Sequence, residues 1–302
     1  MTPADFETLV AGIRDGWAPL PDKPEETPEG IARALWLTAA GQPSSVQRAL
    51  ATELPPLDEA GEARLGALVA RQREGEPVAH LTGRQSFMGL ELAAGPGALI
   101  PRRETELLGG AALERLRRLA DARGSALVLD ICTGSGNLAL AYAAHEPRAR
   151  VHASDLSEEA IALARSNQAL TGLGDRVEFL AGDLFAPFES DRFLGRCDLV
   201  SCNPPYISAA KVPEMAREIS GFEPKLAFDG GAFGVSILMK LIRQAPRFLK
   251  PGSWLCFEVG AGQGPAMVQQ VRKVAAFVEV ATAADDRGEI RAVLALTGAG
   301  AS

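Results

Sequence analysis

The chain has 302 residues, of which 47% are hydrophobic and 23% charged, as is ordinary for a globular protein of one large domain or two. Its net charge of −7 argues against broad binding to nucleic acid, which requires a basic surface. No apolar run is long enough to span a bilayer, and the acidic N-terminus does not read as a signal peptide, so we expect a cytoplasmic protein. The cysteines lack metal-ligand spacing and are expected to be reduced, and we predict no metal site; they are Cys132, Cys197, Cys202 and Cys256.

Residues 1–80 are predicted to form a small helical domain. Apolar residues recur there at helical spacing, and one such segment runs from Glu59 to Gly75, where a glycine is expected to end the helix. Prolines separate the segments. The pattern favours a packing domain, and a role in substrate recognition stays open because the segment carries no motif that proves it.

Residues 81–104 are predicted to form a β-hairpin linker. Two short apolar runs, Gln85–Leu92 and Gly95–Ile100, are bounded by glycines as hairpin strands often are. The following stretch, Ile100–Glu106, has a proline and then acidic residues, which mark a helix N-terminus. We expect that helix to continue to about Ala120.

In residues 105–302, strands and helices alternate from Ala126 onward, which predicts a largely parallel sheet covered on both faces. Helices are expected at 137–145, 158–170, 236–249 and 265–274. The last two strands are joined only by a short link, so they should form a hairpin that makes the final strand antiparallel. The predicted fold is therefore α/β, a doubly wound, mostly parallel, seven-stranded Rossmann-like sheet. Its predicted strands are Leu127–Ile131, Val151–Ser154, Val177–Leu180, Cys197–Cys202, Trp254–Val259, Phe277–Val280 and Ile290–Leu296.

A glycine-rich loop follows the first strand of this sheet. Gly134, Gly136 and Ala139 match the G-x-G-x-x-A form of the dinucleotide fingerprint. Asp155 closes the second strand, 19 residues after Gly136, where a carboxylate can accept hydrogen bonds from ribose hydroxyls. Asp130 stands just before the loop, and its negative charge would oppose a pyrophosphate but favour a cation. The pattern therefore favours S-adenosylmethionine, which has a sulfonium, an ammonium and no phosphate, over NAD.

The third strand is followed by Gly182-Asp183-Leu184-Phe185. Asp183 is placed to accept a hydrogen bond from an adenine amino group, while Leu184 or Phe185 packs on the ring. The alternative for Asp183 is a plain turn aspartate with no ligand contact.

The fourth strand ends at Asn203-Pro204-Pro205-Tyr206. Neither proline donates a backbone hydrogen bond, and each keeps its predecessor out of the helical region, so Asn203 should be held extended with its amide pointing outward. That amide, with a carbonyl from the proline pair, could hold both hydrogens of an –NH2 group, and Tyr206 could offer a flat face. Alone, the motif is better interpreted as a strand-ending turn; the cofactor loop beside it favours the clamp.

Together these motifs resemble the HemK/PrmC and PrmB family of protein-(glutamine-N5) methyltransferases over nearly the whole chain. The resemblance implies a class I S-adenosylmethionine-dependent methyltransferase fold behind a helical N-terminal domain. It also implies methyl transfer to a glutamine side-chain amide in a release factor or ribosomal protein. The similar segments are Pro77–Gly83, Ile100–Glu106, Cys132–Gly136, Asn203–Ile207, Glu223–Gly231 and Glu258–Gln263.

The resemblance also implies roles for individual residues. Asn203 and the carbonyl of Pro204 are expected to hold the reacting amide, with Pro205 and Tyr206 shaping its pocket, and Phe87 is expected to reach cofactor or substrate. No strong base is needed, so Asp198 and Glu223 should be structural. The residues expected at the cofactor are Asp130, Cys132, Thr133, Gly134, Ser135, Gly136, Asp155, Asp183, Leu184 and Asn203.

The loops that flank the acceptor pocket depart from the family pattern. Phe233 stands where the family has an acid, and the loop Ile207–Lys211 after Tyr206 is unusual. Arg103 replaces a proline, and the closing hairpin keeps only part of its motif. An N- or O-methyltransferase for a small molecule, bound in a cavity walled by Phe233, therefore stays open as the second function. A non-catalytic cofactor-binding scaffold is disfavoured by the intact Asn203–Tyr206 motif.

Overall fold

The structure, a computed structural model, describes residues 3–19, 23–207, 221–224, 226 and 235–299. Five helices begin the chain, and three have polar N-caps that explain where they start. The side chains of Thr27, Ser45 and Asp58 accept hydrogen bonds from backbone amides in the first turns of α2, α3 and α4. The helices are α1 (Pro3–Arg14), α2 (Pro28–Ala39), α3 (Val46–Ala49), α4 (Glu59–Arg73) and α5 (Val78–Thr82).

The helical segment has a hydrophobic cluster of its own, in which Leu35, Leu37 and Leu65 are almost completely buried. Ser45 joins it to the rest of the chain, because its backbone nitrogen and hydroxyl donate to the Glu91 carboxylate at 2.7 and 2.6 Å. Among the described residues, no helix combines the length and apolar character needed to cross a membrane.

The predicted hairpin is present, but it is shorter than the sequence indicated. Strand β1 (Arg84–Phe87) pairs antiparallel with β2 (Leu90–Ala93). Met88 and Gly89 form the turn with φ of 46° and 81°, the pair of positive values that a two-residue hairpin loop favours. The prediction of a second strand at Gly95–Ile100 is wrong. Two glycines and Pro96 favour turns there, and the stretch runs as a loop.

The rest of the described chain alternates as predicted. Phe277–Ala284 and Ile290–Thr297 form the closing hairpin. One expected helix, 236–249, is too long, because Pro246 has no N–H to continue it and the chain passes through a short 3₁₀ turn into the next strand. The elements are α6 (Arg103–Arg123), β3 (Ala126–Ile131), α7 (Asn137–His145), β4 (Ala149–Asp155), α8 (Glu158–Thr171), β5 (Val177–Ala181), β6 (Cys197–Cys202), α9 (Ser236–Gln244), β7 (Leu249–Glu258), α10 (Gly264–Arg272), β8 (Phe277–Ala284) and β9 (Ile290–Thr297).

The seven strands form one sheet in the order β5-β4-β3-β6-β7-β9-β8. Strands β3 to β7 run parallel to one another, and β9 is antiparallel to both β7 and β8. The prediction of a doubly wound, mostly parallel sheet is confirmed. Since the chain leaves β3 toward β4 and later returns to its other side as β6, the strand order reverses between β3 and β6, where open α/β sheets bind ligands.

Both faces of the sheet are buried, as the apolar strands predict. On β9, Leu294 belongs to a cluster with α6, α7 and α8, whereas its neighbour Val293 belongs to a cluster with α9 and α10. Successive residues of a strand point to opposite faces, so these two clusters are the two covered sides of one sheet.

Asp198 joins several elements at the amino-terminal edge of the sheet, opposite the edge where the parallel strands end. It is 1% exposed, and its carboxylate accepts from the Leu127 backbone nitrogen at 2.7 Å and from Lys250 Nζ at 2.9 Å. Arg123, the last residue of α6, also donates to it. The carboxylate therefore joins α6, β3, β6 and β7, which is the structural role expected from the sequence.

We expect Asp198→Ala to lower the free energy of unfolding by about 3 kcal/mol, because it leaves donors of Arg123, Leu127 and Lys250 without their buried acceptor. Urea denaturation followed by circular dichroism measures the change. Asp191→Ala is the matched control on the exposed surface and should stay within about 0.5 kcal/mol of the parent. Equal stabilities for the two variants would contradict this role of Asp198.

Candidate active site

A cleft opens at the carboxyl ends of β3 and β6, the strands at the reversal of the sheet. Ile131 and Cys202 are paired in register, so the loops that follow both strands leave the sheet side by side. The cleft encloses about 990 Å³, a volume that includes the open solvent at its mouth. Of the residues predicted from the sequence, those that line it are Cys132, Thr133, Gly134, Ser135, Asp155, Asp183, Leu184, Asn203 and Pro205.

Asp130 lies beneath the glycine loop and does not line the cleft, which corrects the direct cofactor contact expected of it. It is fully buried, and its two carboxylate oxygens accept from the hydroxyls of Ser201 and Thr133, each at 2.6 Å. Burial raises the pKa of Asp130 to about 6, while the two hydroxyls act in the opposite direction. The carboxylate therefore stabilises the conformation of the loop and does not itself face the cleft.

The glycine loop turns tightly because several of its residues have positive φ. The values are 58° at Cys132, 56° at Gly134 and 80° at Gly136. Gly136 caps α7 and does not line the cleft, contrary to expectation; a Cβ there would lie 2.8 Å from the Phe179 ring. Its role is close packing of the helix start against the neighbouring strand, which only glycine permits.

Ser135 and Asp155 present polar groups at the cleft. The Ser135 hydroxyl is buried and has no hydrogen-bond partner among the described residues. Asp155 accepts from the backbone nitrogens of Gly134 and Ser157, both at 2.9 Å. Burial raises the pKa of Asp155, and the backbone amides partly offset this. An unused hydroxyl and a carboxylate fit a ligand with amino and hydroxyl groups, such as an adenosyl amino acid.

Asp183 and Leu184 also line the cleft, as predicted. Leu184 adopts φ of 46°, and its carbonyl accepts from the Ser154 hydroxyl at 2.7 Å. Phe185, the other candidate for packing on a ring, is buried and stacks on Phe248 with ring centroids 4.5 Å apart. It is therefore a core residue, and Leu184 alone of the two lies at the cleft.

Asn203 reaches the cleft from the end of β6. Its Nδ2 donates to Thr105 Oγ1 at 3.0 Å. Thr105 lies in the first turn of α6, on a different wall of the same cleft, although only 1% of its surface is exposed. The amide predicted to clamp an acceptor is therefore fixed on one side by a helix and lines the cleft with Pro205.

Tyr206 does not line the cleft, which corrects the expectation that it offers a flat face there. Its hydroxyl donates to Glu258 Oε1 at 2.9 Å, and its carbonyl accepts from Gln263 Nε2 at 2.9 Å. Burial raises the pKa of Tyr206 well above its ordinary value, so the phenol stays neutral. The residue anchors the end of the Asn-Pro-Pro turn to β7 and the start of α10.

Phe87 and Pro204 also differ from their expected positions. Phe87 is 1% exposed and belongs to the core cluster of the sheet with Leu92 and Leu108, so it does not reach the cleft. The Pro204 side chain is buried as well. The hairpin aromatic is thus a packing residue, and Pro204 can serve an acceptor only through its backbone.

The stretch Ile100–Glu106 forms a wall of the cleft that sequence reasoning missed, through Pro101, Arg102 and Thr105. Glu223 is held against it: its carboxylate accepts from the Ile100 backbone nitrogen at 2.9 Å and from Arg102. Pro224, next in sequence, also lines the cleft. The family resemblance marked this stretch, but no residue type or spacing in it indicated a place at the site.

The histidines have structural contacts, as expected. His145 Nε2 lies 2.7 Å from the Met88 carbonyl, and His152 Nδ1 lies 2.9 Å from Glu178. Burial lowers the pKa of His80 and His152, which favours their neutral forms. Phe233 and Ser208–Lys211, which the sequence placed around the acceptor, lie outside the described residues.

Comparisons with known proteins show what this chain is similar to. The Methyltransferase small domain family matches residues 111–220. The release factor glutamine methyltransferase of Moorella thermoacetica is 37% identical over 260 residues, which cover 86% of this chain and 87% of that protein. That of Geobacter sulfurreducens is 37% identical over 238 residues, which cover 79% of each. The crystal structure of the hMettl16 catalytic domain in complex with MAT2A 3′UTR hairpin 6 has a TM-score of 0.52 at 15% identity, covering 69% of this chain and 76% of that one, a likeness of fold alone.

We expect Gly136→Ala to lower the free energy of unfolding by about 2–4 kcal/mol. A side chain there combines a positive φ with a steric clash against Phe179. Gly110→Ala is the matched control, since Gly110 lies in α6 with no atom within 4 Å of an added Cβ, and it should gain about 0.5–1 kcal/mol. Thermal and urea unfolding measure both; a Gly136 variant as stable as the parent would contradict the packing argument.

Proposed function

The chain belongs to the release factor glutamine methyltransferase family, and we propose from this membership that it methylates the side-chain amide nitrogen of a glutamine in a translation release factor. The observation that carries the proposal is that the glycine loop and Asn203 line one cleft. A methyl donor on the loop and an amide held by Asn203 would share that cleft, as a direct transfer between them requires.

S-adenosylmethionine is the methyl donor of class I methyltransferases, and when bound it supplies an electrophilic sulfonium methyl. We propose that the chain holds it through the loop Cys132–Gly134 and through polar groups at the cleft. The Ser135 hydroxyl, which has no partner among the described residues, is one such group. Asp155 and Asp183 would accept from ribose hydroxyls and from the adenine amino group, with Leu184 packing on the ring.

The chain's own contribution to the transfer is orientation. An amide nitrogen is a weak nucleophile because its lone pair is delocalised into the carbonyl. The Asn203 oxygen and the Pro204 carbonyl would accept its two hydrogens, turn the lone pair toward the methyl and stabilise the positive charge that develops on nitrogen. The proton leaves after the new bond forms, so no strong base is required.

No carboxylate is assigned as a base in this scheme. Asp198 lies at the opposite end of the sheet, paired with Arg123 and Lys250, and Glu223 is paired with Arg102. Each has a structural partner, which supports the absence of a general base from the scheme.

A protein acceptor is favoured over the small molecule that the sequence left open. The support comes from the two relatives described above, which are release factor glutamine methyltransferases aligned over 86% and 79% of this chain. Phe233, the residue that suggested a closed cavity, lies outside the described residues and supports neither. The division into a helical domain (1–80), a linker (81–104) and a transferase domain (105–302) stays a proposal.

We expect Asn203→Ala to lower kcat on a purified bacterial translation release factor by at least about a hundredfold, because the acceptor amide loses an oxygen that orients it. Affinity for S-adenosylhomocysteine, measured by calorimetry, should change only about threefold, since that ligand is held mainly by the loop. Labelling with tritiated methyl groups, followed by mass spectrometry of the release factor, gives both rate and site. Near-parental turnover of the variant would disprove the clamp.

We expect Asp155→Ala to weaken S-adenosylhomocysteine binding by about tenfold to a hundredfold, as loss of a charge-assisted hydrogen bond to a ribose predicts. The control is Asp175→Ala, at an exposed aspartate between α8 and β5. This variant should bind S-adenosylhomocysteine as the parent does. Circular dichroism checks that both variants are folded. If Asp155→Ala bound S-adenosylhomocysteine with parental affinity, Asp155 would not be part of the cofactor site.

A further inference from the structure

Asn167 of α8 is completely buried and is not among the residues that line the cleft. Its amide bonds the backbones of two segments that are far apart in sequence. Oδ1 accepts from the Ala93 nitrogen at 2.6 Å, and Nδ2 donates to the Ala93 carbonyl at 3.2 Å and to the Ser135 carbonyl at 3.0 Å. A buried amide is costly unless its polar groups are bonded, and here the oxygen and both hydrogens have partners. The roles assigned above to the cofactor and acceptor residues do not use this side chain.

One end of this contact is the hairpin. Ala93 is the last residue of β2, and Asn167 bonds both its N–H and its carbonyl, as a residue of a further antiparallel strand would. Two residues earlier, the same strand is fixed to the N-terminal helices, because Ser45 donates to the Glu91 carboxylate. The hairpin therefore has two anchors outside itself, and Asn167 holds another segment to this fixed strand.

The other end of the contact is the glycine loop. The Ser135 carbonyl belongs to the peptide that joins Ser135 to Gly136, and the N–H of that peptide donates to the Thr133 carbonyl at 2.9 Å. Gly136 has φ of 80°, and a glycine lets such a peptide rotate at little steric cost. Asn167 and Thr133 therefore fix the peptide from both sides. Ser135 itself lines the cleft, and its buried hydroxyl has no partner among the described residues.

We propose that Asn167 is a positioning residue for the methyl donor: it holds the Ser135–Gly136 peptide to the hairpin and so fixes the place of Ser135 in the cleft. The inference deepens the proposed function and rests on it for the identity of the donor. Without the Asn167 amide, the Ser135 carbonyl has no donor and the peptide can turn. Binding of the donor then has to order the loop as well, which lowers its affinity.

The effect should be on binding of the donor and not on the transfer step. The acceptor turn is held by other residues, since Asn203 donates to Thr105 and the Tyr206 carbonyl accepts from Gln263. A change at Asn167 should therefore raise KM for S-adenosylmethionine and leave kcat at saturating donor nearly unchanged.

The test compares Asn167→Ala with Gln168→Ala. Gln168, the next residue of α8, also donates its amide hydrogens to backbone carbonyls, those of Gly174 and Val177. Val177 begins β5, so these bonds lie at the end of the strand opposite the cleft. Both variants lose side-chain bonds from α8 to the backbone, but only Asn167→Ala loses a bond to the glycine loop.

Calorimetry should show that Asn167→Ala binds S-adenosylhomocysteine about tenfold more weakly than the parent, whereas Gln168→Ala binds it within about twofold. On a purified bacterial translation release factor, KM for S-adenosylmethionine should rise about tenfold in Asn167→Ala alone, with kcat within about threefold of the parent. Thermal unfolding checks that both variants are folded at the temperature of the assay.

Asn167→Asp, of nearly parental size, separates the two ends of the contact. A carboxylate keeps an acceptor for the Ala93 nitrogen and has no hydrogen for the Ser135 carbonyl. At alkaline pH, where it is ionised, this variant should bind S-adenosylhomocysteine as weakly as Asn167→Ala. Parental affinity in either folded Asn167 variant would overturn the inference, and so would an equal loss of affinity in Gln168→Ala.

A measurement without any ligand distinguishes a failure of this inference from a failure of the proposed function. In ¹⁵N-labelled parent protein, the Gly136 amide hydrogen should exchange slowly with solvent, because its peptide is fixed on both sides. It should exchange faster in Asn167→Ala and at the parental rate in Gln168→Ala. A parent that binds no S-adenosylhomocysteine but shows this pattern would contradict the proposed donor and support the positioning role. Equal exchange in the parent and in Asn167→Ala would overturn that role.

Discussion

The geometry of the site depends on one buried carboxylate between the two strands that end at it. Asp130 accepts from Thr133 in the glycine loop and from Ser201, two residues before Asn203, so a single group fixes both loops relative to each other. A carboxylate in such surroundings is costly, and burial raises its pKa to about 6. The two hydroxyl donors offset part of that cost. What the arrangement supplies is a fixed spacing between the loop that would hold the methyl donor and the turn that would hold the acceptor.

Glu258 has the matching role on the other side of the Asn-Pro-Pro turn. Two prolines in succession remove the backbone donors with which a strand end is ordinarily tied to its neighbours. The turn is instead held by side chains, through Tyr206 on Glu258 and Gln263 on the Tyr206 carbonyl. Because a carboxylate only accepts, it fixes the direction of every hydrogen bond it receives. Two buried acids thus orient hydroxyl groups around the cleft without entering it.

The sequence predicts the sheet well because apolar strands and capped helices are local patterns. It predicts which residues stand at strand ends, and Asp155, Asp183 and Asn203 do line the cleft. Asp130, Tyr206 and Phe87 do not line it, because position along a strand does not tell whether a side chain is already bonded or packed elsewhere. The decisive partners are remote, with Thr105 lying 98 residues from Asn203 and Glu258 lying 52 from Tyr206. The strand expected at Gly95–Ile100 failed because glycine and proline there favour turns.

The stretch from Ile100 to Glu106 is better understood as a wall of the site than as the end of a linker. Within one helical turn, Glu104 pairs with Arg291 of the last strand, Thr105 bonds Asn203, and Glu106 accepts from the hairpin turn at Met88. The start of α6 therefore has a fixed position relative to the sheet, the hairpin and the cleft. Side chains on helices are held more precisely than those on loops. The amide of Asn203 stands on a proline-rich turn that has no rigid backbone frame of its own, and the first turn of α6 provides one through the hydroxyl of Thr105.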